Sequence, residues 1–214
     1  MINAVIFDMD GLMLDTEKLL EKFWREAAAF YGYEMTHQQA ISLRSLSHTL
    51  SEKKQKEWFG EDYDYNAARK KRIELMNDFI LENGVEKKKG LDTLLEFLRK
   101  NHIKTAVATA TDFERTKAYL TKAGVFEYFD KFVCGDMVKN SKPAPDIYLA
   151  AAKALEEKPE NCIALEDSPN GIKSAFNAGC KPVMVPDLTP PDEDTRKMLY
   201  ALCDNLEDVI KLLN

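Results

Sequence analysis

Cysteine is sparse and scattered in this 214-residue chain. Cys134, Cys162, Cys180 and Cys203 form no C-x-x-C pair and have no histidine at zinc spacing. Buried, reduced thiols are the expectation, and neither a disulfide framework nor a zinc site is. Long apolar runs are missing too: none approaches the ~20 residues of a membrane span. The start, Met1-Ile2-Asn3-Ala4-Val5, lacks the basic stretch and cleavage pattern of a secretory signal. A cytoplasmic protein with no membrane partner is expected. Nor is there an excess of positive charge, since 30 basic residues against 36 acidic ones leave a formal charge of -6. The field of the whole molecule gives nucleic acid no help, so no nucleic-acid partner is expected and any anion must be caught locally. Internal repeats, Gly/Ser tracts and low-complexity segments are absent as well.

What is present suits an ordinary globule: 45% apolar, 10% aromatic and 31% charged residues can fill a core and clothe it. Short β-rich apolar runs occur at Ala4–Phe7, Thr105–Thr109, Phe132–Cys134, Ile163–Leu165 and Val183–Val185, separated by helical patterns such as Leu91, Leu94, Leu95, Leu98. That alternation predicts an α/β protein with a doubly wound parallel sheet. Residues 16–83 contain no convincing strand. Leu19, Leu20, Phe23, Trp24, Ala27 and Tyr31 recur there at helical spacing, and Thr36-His37-Gln38-Gln39 carries the side chains of a capping box. Residues 16–83 are therefore expected to form an inserted all-helical cap domain, and residues 1–15 and 84–214 a Rossmann-like core. Ligands of open α/β sheets bind at the carboxyl ends of the strands, where an insertion leaving the first strand can act as a lid.

The informative segment follows the first strand without a gap: Asp8-Met9-Asp10-Gly11-Leu12-Met13-Leu14-Asp15-Thr16. It reads either as an acidic turn bonded to local amides or as chemistry. Two neighbouring carboxylates repel each other, and a divalent cation or a raised pKa on one of them relieves this. One carboxylate can then attack phosphorus while the other moves a proton. Phosphoryl transfer also needs donors around the equatorial oxygens, and the other strand ends offer them. Thr109-Ala110-Thr111 brings a hydroxyl and amides to a helix start, or else simply caps that helix. Ser141-Lys142-Pro143-Ala144-Pro145-Asp146 brings a lysine, and Glu166-Asp167-Ser168-Pro169 an acidic pair ahead of a helix. Each signal is weak alone, but together they fall in order along the edge where such folds carry their sites.

On these residues the sequence closely resembles the haloacid dehalogenase superfamily, in its phosphatase and β-phosphoglucomutase-like branch with a helical cap. The motifs that carry the resemblance are DMDGLMLDT from Asp8 to Thr16, VAT ending at Thr109, Lys142 in SKPAPDIY, and EDSPNGIKSAFNAG from Glu166 to Gly179. The resemblance implies an enzyme in which Asp8 attacks the phosphoryl group to form an aspartyl phosphate, with Asp10 as general acid and base. It implies that Thr109, Ala110 and Lys142 bind the phosphoryl group. It also implies Mg²⁺ held by Asp8, the carbonyl of Asp10 and Asp167, with Glu166 as a further ligand or an acceptor behind the ligands.

Phosphatase and mutase share transfer to Asp8 and differ in which acceptor the cap admits. The β-phosphoglucomutases carry a histidine four residues after the hinge Thr16, where this chain has Leu20; Asp15-Thr16-Glu17 matches the hinge common in phosphatases. Arg44 and Lys71 resemble cap residues of the mutases, although Lys71 lies in a basic run that suits a solvated helix face. The expectation is a Mg²⁺-dependent phosphatase of a small phosphorylated metabolite such as a sugar phosphate, acting as a monomer. A β-phosphoglucomutase-type mutase is the alternative, and a phospho-aspartate switch module without turnover is the alternative of another class.

Overall fold

The apolar tetrapeptide Ala4–Phe7 forms β1, whose four residues are all buried, as a strand covered on both faces must be. The computed structural model describes residues 2–43, 46, 48–187 and 190–213. Around β1 lie β2 (Lys104–Thr109), β3 (Lys131–Cys134), β4 (Cys162–Glu166), β5 (Lys181–Met184) and β6 (Ala201–Leu202), in the order β3-β2-β1-β4-β5-β6. Every pairing is parallel. Phe7 stands opposite both Val107 and Leu165, so the residues that follow them, Asp8, Ala108 and Glu166, come level with one another. The expected doubly wound α/β sheet is what the chain forms.

Two strands depart from expectation. β5 starts at Lys181, two residues before the expected Val183, and includes Pro182. Proline reads as a strand breaker because it has no N–H to donate, yet the Pro182 carbonyl still accepts from the Tyr200 amide at 2.7 Å. β6 is only two residues long, too short for any periodicity to reveal.

The chain divides into two compact units, Met1–Asp15 with Val85–Asn214, and Thr16–Gly84. In the first, helices cover the sheet. These are α5 (Leu91–Lys100), α6 (Phe113–Lys122), α7 (Asp146–Ala154), α8 (Pro169–Asn177) and α9 (Glu193–Met198), numbered on from the helices of the second unit. Leu91, Leu94, Leu95 and Leu98 are buried on one stripe of α5, which stabilises the unit by about 1.5–3 kcal/mol per side chain. Ile147, Tyr148, Ala151 and Ala152 of α7 pack with Ala4, Ile6, Ala106, Ala108 and Ala164. The alternate strand residues Val5, Phe7, Val107 and Leu165 are equally buried on the opposite face.

The second unit holds α1 (Glu17–Phe30), α2 (His37–Ile41), α3 (His48–Phe59) and α4 (Tyr65–Asn83), and helices are the regular elements of its described residues. The capping box at α2 is complete: the Gln39 amide donates to Thr36 Oγ1 at 3.2 Å and the Thr36 amide to Gln39 Oε1 at 2.8 Å. Its core is aromatic, with Trp24 stacked on Tyr65 at 5.8 Å and Tyr33, Phe59 and Tyr63 in mutual contact. None of the described helices is long and apolar enough to cross a membrane.

Candidate active site

Asp8 is the first residue past β1, and its amide continues the ladder by donating to Leu165 O at 3.0 Å. The chain then turns back on itself. Gly11 takes φ 81, a left-handed conformation costly for any residue with a Cβ, and its amide reaches Leu14 O at 3.0 Å. Met9, Leu12, Met13 and Leu14 are buried beneath this turn. Apolar anchors thus fix the loop that carries both aspartates, and its rigidity comes from packing.

Three strand ends meet at Lys142, which arrives on the loop between β3 and α7. Its ammonium donates to Asp8 Oδ1 at 2.6 Å, to Glu166 Oε1 at 2.6 Å and to the Ala108 carbonyl at 3.0 Å. All three N–H bonds are therefore used. Burial pulls the Lys142 pKa down, but the Asp8 and Glu166 carboxylates more than offset this and leave it above the ordinary lysine value. Burial pushes the Asp8 carboxyl up to about 7 against the lowering pull of Lys142, with Glu166 and Asp10 adding to the rise. A nearby cation would favour its ionised form.

Glu166, 1% exposed at the end of β4, is held from several sides. Its Oε1 also accepts from Tyr148 Oη at 2.5 Å, and Oε2 accepts from Ser168 Oγ at 3.4 Å. Gly171 packs directly beneath, so close that a Cβ there would fall on the carboxylate.

The β2 end supplies a hydroxyl pair. Thr109 is buried, and its Oγ1 accepts from the Thr111 amide at 3.1 Å; Thr111 Oγ1 donates to Asp10 Oδ2 at 2.8 Å. Neither threonine caps α6. Asp112 does so, accepting from the Arg115 amide at 3.1 Å. Ala110 is exposed beside them. Its carbonyl lies against Gly135, where a Cβ could not fit.

Carboxylate oxygens of Asp8, Glu166 and Asp167 come within 4.8 Å of one another and could hold a metal ion. An all-oxygen, anionic donor set without thiol or imidazole suits a hard dication.

Asp8, Asp10, Thr109, Ala110, Lys142, Glu166 and Asp167 thus all belong to the sheet-bearing unit, Lys142 on a loop and the others at or just past strand ends. The four specificity candidates belong to the helical segment. Thr16 precedes α1 without a side-chain cap bond, and its buried hydroxyl has no partner among the described residues. Leu20 is half-buried in the first turn of α1. Lys71 is engaged within its own unit, paired with Glu74 at 2.7 Å and lying over the Phe30 ring at 4.7 Å. Arg44 lies outside the described residues. Sequence reasoning missed Tyr148 and Thr111 as site residues. Tyr148 stands inside the SKPAPDIY segment but reads as core, and Thr111 reads as a helix cap.

A family model described as haloacid dehalogenase-like hydrolase matches residues 2–179. The chain belongs to that family. Among curated relatives, a phosphorylated carbohydrates phosphatase of Thermotoga maritima is 34% identical over 187 residues, covering 83% of this chain and 82% of the relative. The fructose-1-phosphate phosphatase of Escherichia coli is 33% identical over 187 residues, covering 85% and 95%. Among solved structures, a β-phosphoglucomutase from Clostridium difficile superposes with TM-score 0.79 at 26% identity, covering 98% and 93%.

Proposed function

We propose that this haloacid dehalogenase-like hydrolase is a Mg²⁺-dependent phosphatase of a small phosphorylated metabolite, with sugar phosphates the leading class. The observation that carries the reading is the triple contact of Lys142 with Asp8, Glu166 and Ala108 O. It joins a buried carboxylate to a fixed positive charge at the carboxyl edge of β1, β2 and β4. The names of the Thermotoga and Escherichia relatives support the substrate class.

In this mechanism Asp8 Oδ attacks phosphorus, forming an aspartyl phosphate as the ester oxygen leaves. Asp10, oriented through Thr111, protonates that leaving oxygen and then takes the proton of the water that cleaves the acyl phosphate. The Lys142 charge neutralises the equatorial oxygens, while the Thr109 hydroxyl and the Ala110 amide orient them. Asp8, Asp167 and the Asp10 carbonyl would hold Mg²⁺. When bound, the ion shields the phosphoryl oxygens from the Asp8 charge and polarises phosphorus.

Hydrolysis leads over isomerisation because Leu20 offers no acid–base group where the mutases are expected to carry histidine. The test is turnover of p-nitrophenyl phosphate and a panel of sugar phosphates with Mg²⁺, repeated with Asp8→Asn. Mg²⁺-dependent phosphate release that Asp8→Asn abolishes supports the reading. Conversion of β-glucose 1-phosphate to its 6-phosphate in the presence of a bisphosphate activator would favour the mutase. A stable phospho-form without turnover would favour the switch.

A further inference from the structure

The buried side of the site contains a residue that the chemistry above does not use. Tyr148 sits on the first turn of α7 with no exposed surface, and its hydroxyl donates to the same Glu166 oxygen that accepts from Lys142. The lysine ammonium also lies 5.2 Å from the Tyr148 ring centroid, within reach of a cation–π attraction. Tyr148 therefore touches both members of the Lys142–Glu166 pair, through its hydroxyl on Glu166 and its ring beneath the ammonium.

We propose that Tyr148 is a positioning residue for Lys142. By sharing Glu166 Oε1 with the lysine, and with Gly171 packed beneath, it commits Glu166 to the ammonium and fixes that charge where the phosphoryl group binds. This rests on the phosphatase reading for the identity of the anion. Two donors on one carboxylate oxygen occupy both of its lone pairs. Gly171 leaves the carboxylate no room to turn away on that side. Ser168 engages Oε2. Glu166 is thereby assigned to holding the lysine, and ligation of a cation falls to Asp8 and Asp167. A phenol suits the task because it donates a strong hydrogen bond without adding charge, leaving the net charge of the Lys142–Glu166–Asp8 cluster unchanged. With phenylalanine at this position, Glu166 Oε1 loses one donor and gains freedom to rotate, and the ammonium follows it.

The test is a double-mutant cycle on binding of inorganic phosphate, measured by titration calorimetry with Mg²⁺ present, for wild type, Tyr148→Phe, Lys142→Ala and the pair. Tyr148→Phe keeps the ring in its core position and is expected to weaken phosphate binding about tenfold or more, the scale of one lost hydrogen bond to a charged group. In the Lys142→Ala background the same change is expected to alter phosphate binding less than about twofold, because the group it positions is gone. Half-saturating Mg²⁺, read by the same calorimetry with the metal alone, is expected to stay unchanged. Gly171→Ala puts a methyl group against the Glu166 carboxylate and serves as a second variant, expected to weaken phosphate binding in the same direction. Equal effects of Tyr148→Phe with and without Lys142, or unchanged phosphate affinity in both Tyr148→Phe and Gly171→Ala, would overturn the proposal. So would a shift of Mg²⁺ affinity in place of phosphate affinity. Phosphate binding needs no turnover, so a wild-type protein that binds phosphate but hydrolyses no ester would defeat the phosphatase reading alone.

Discussion

Removing Lys142 is the most informative single perturbation, because its ammonium holds two buried carboxylates together. Lys142→Ala deletes the contacts to Asp8 and Glu166, both 2.6 Å, and the 3.0 Å bond to Ala108 O. Asp8 is 7% exposed and Glu166 1%, so water cannot replace the lost charge. Breaking a buried pair by deleting one partner costs about 3–5 kcal/mol of stability, and less where the stranded acid takes up a proton. The pH dependence follows from that escape. Asp8 already stands at about 7 with Lys142 pulling it down; without the lysine it rises further. A carboxyl whose folded pKa exceeds its unfolded value keeps its contribution at acid pH and loses it as pH climbs through the folded pKa. The deficit of Lys142→Ala relative to wild type should thus be smaller near about pH 5 than near about pH 8. The assay is urea unfolding with chelator present, followed by far-ultraviolet circular dichroism, since Trp24 and Trp58 both lie in the helical unit and report on that unit alone. In parallel, kcat/KM should fall about 10²–10³-fold, as on loss of one transition-state charge donor. An equal stability deficit at both pH values, or a larger one at acid pH, would refute the electrostatic reasoning.

Thr111→Val removes the 2.8 Å bond to Asp10 Oδ2 and should lower kcat about tenfold, with little change in KM. The loss should be greater for a sugar phosphate than for p-nitrophenyl phosphate, whose leaving group needs no proton; equal kcat for wild type and variant would remove Thr111 from any role in orienting Asp10. Burial pushes the Cys162 thiol up to about 11 and Cys180 up to about 12. Because the thiolate is the nucleophile, iodoacetamide should modify both slowly in the native protein and quickly in urea, and peptide mass spectrometry would expose rapid native labelling. Asp112→Ala removes the cap of α6 and should cost about 1 kcal/mol in urea unfolding; a loss near zero would mean that Thr109 or Thr111 takes over the cap.

The strand ends were legible in the sequence because each buried strand is a short apolar run, and the first polar residues after it must lie at the sheet edge. Asp8, Thr109 and Glu166 all occupy that place. Lys142 was legible from its motif, but the acceptors that fix it were not, since a backbone carbonyl such as Ala108 O has no sequence signature. Tyr148 and Thr111 escaped for a related reason: an aromatic on a buried helix stripe and a threonine before a helix each have an ordinary structural explanation. Pro182 hid the start of β5 by lacking a donor while keeping its acceptor. The basic run around Lys71 suggested a solvated helix face, and the contacts of Lys71 with Glu74 and Phe30 had no signature in that run.

The central claim is that the phosphoryl group passes through the side chain of Asp8. Acid quenching during turnover, reduction with borohydride and peptide mass spectrometry would read this directly, because an acyl phosphate at position 8 is converted to homoserine. The account predicts homoserine at that position in wild type and none in Asp8→Asn. Sustained turnover with an unmodified Asp8 in every quenched sample would contradict it.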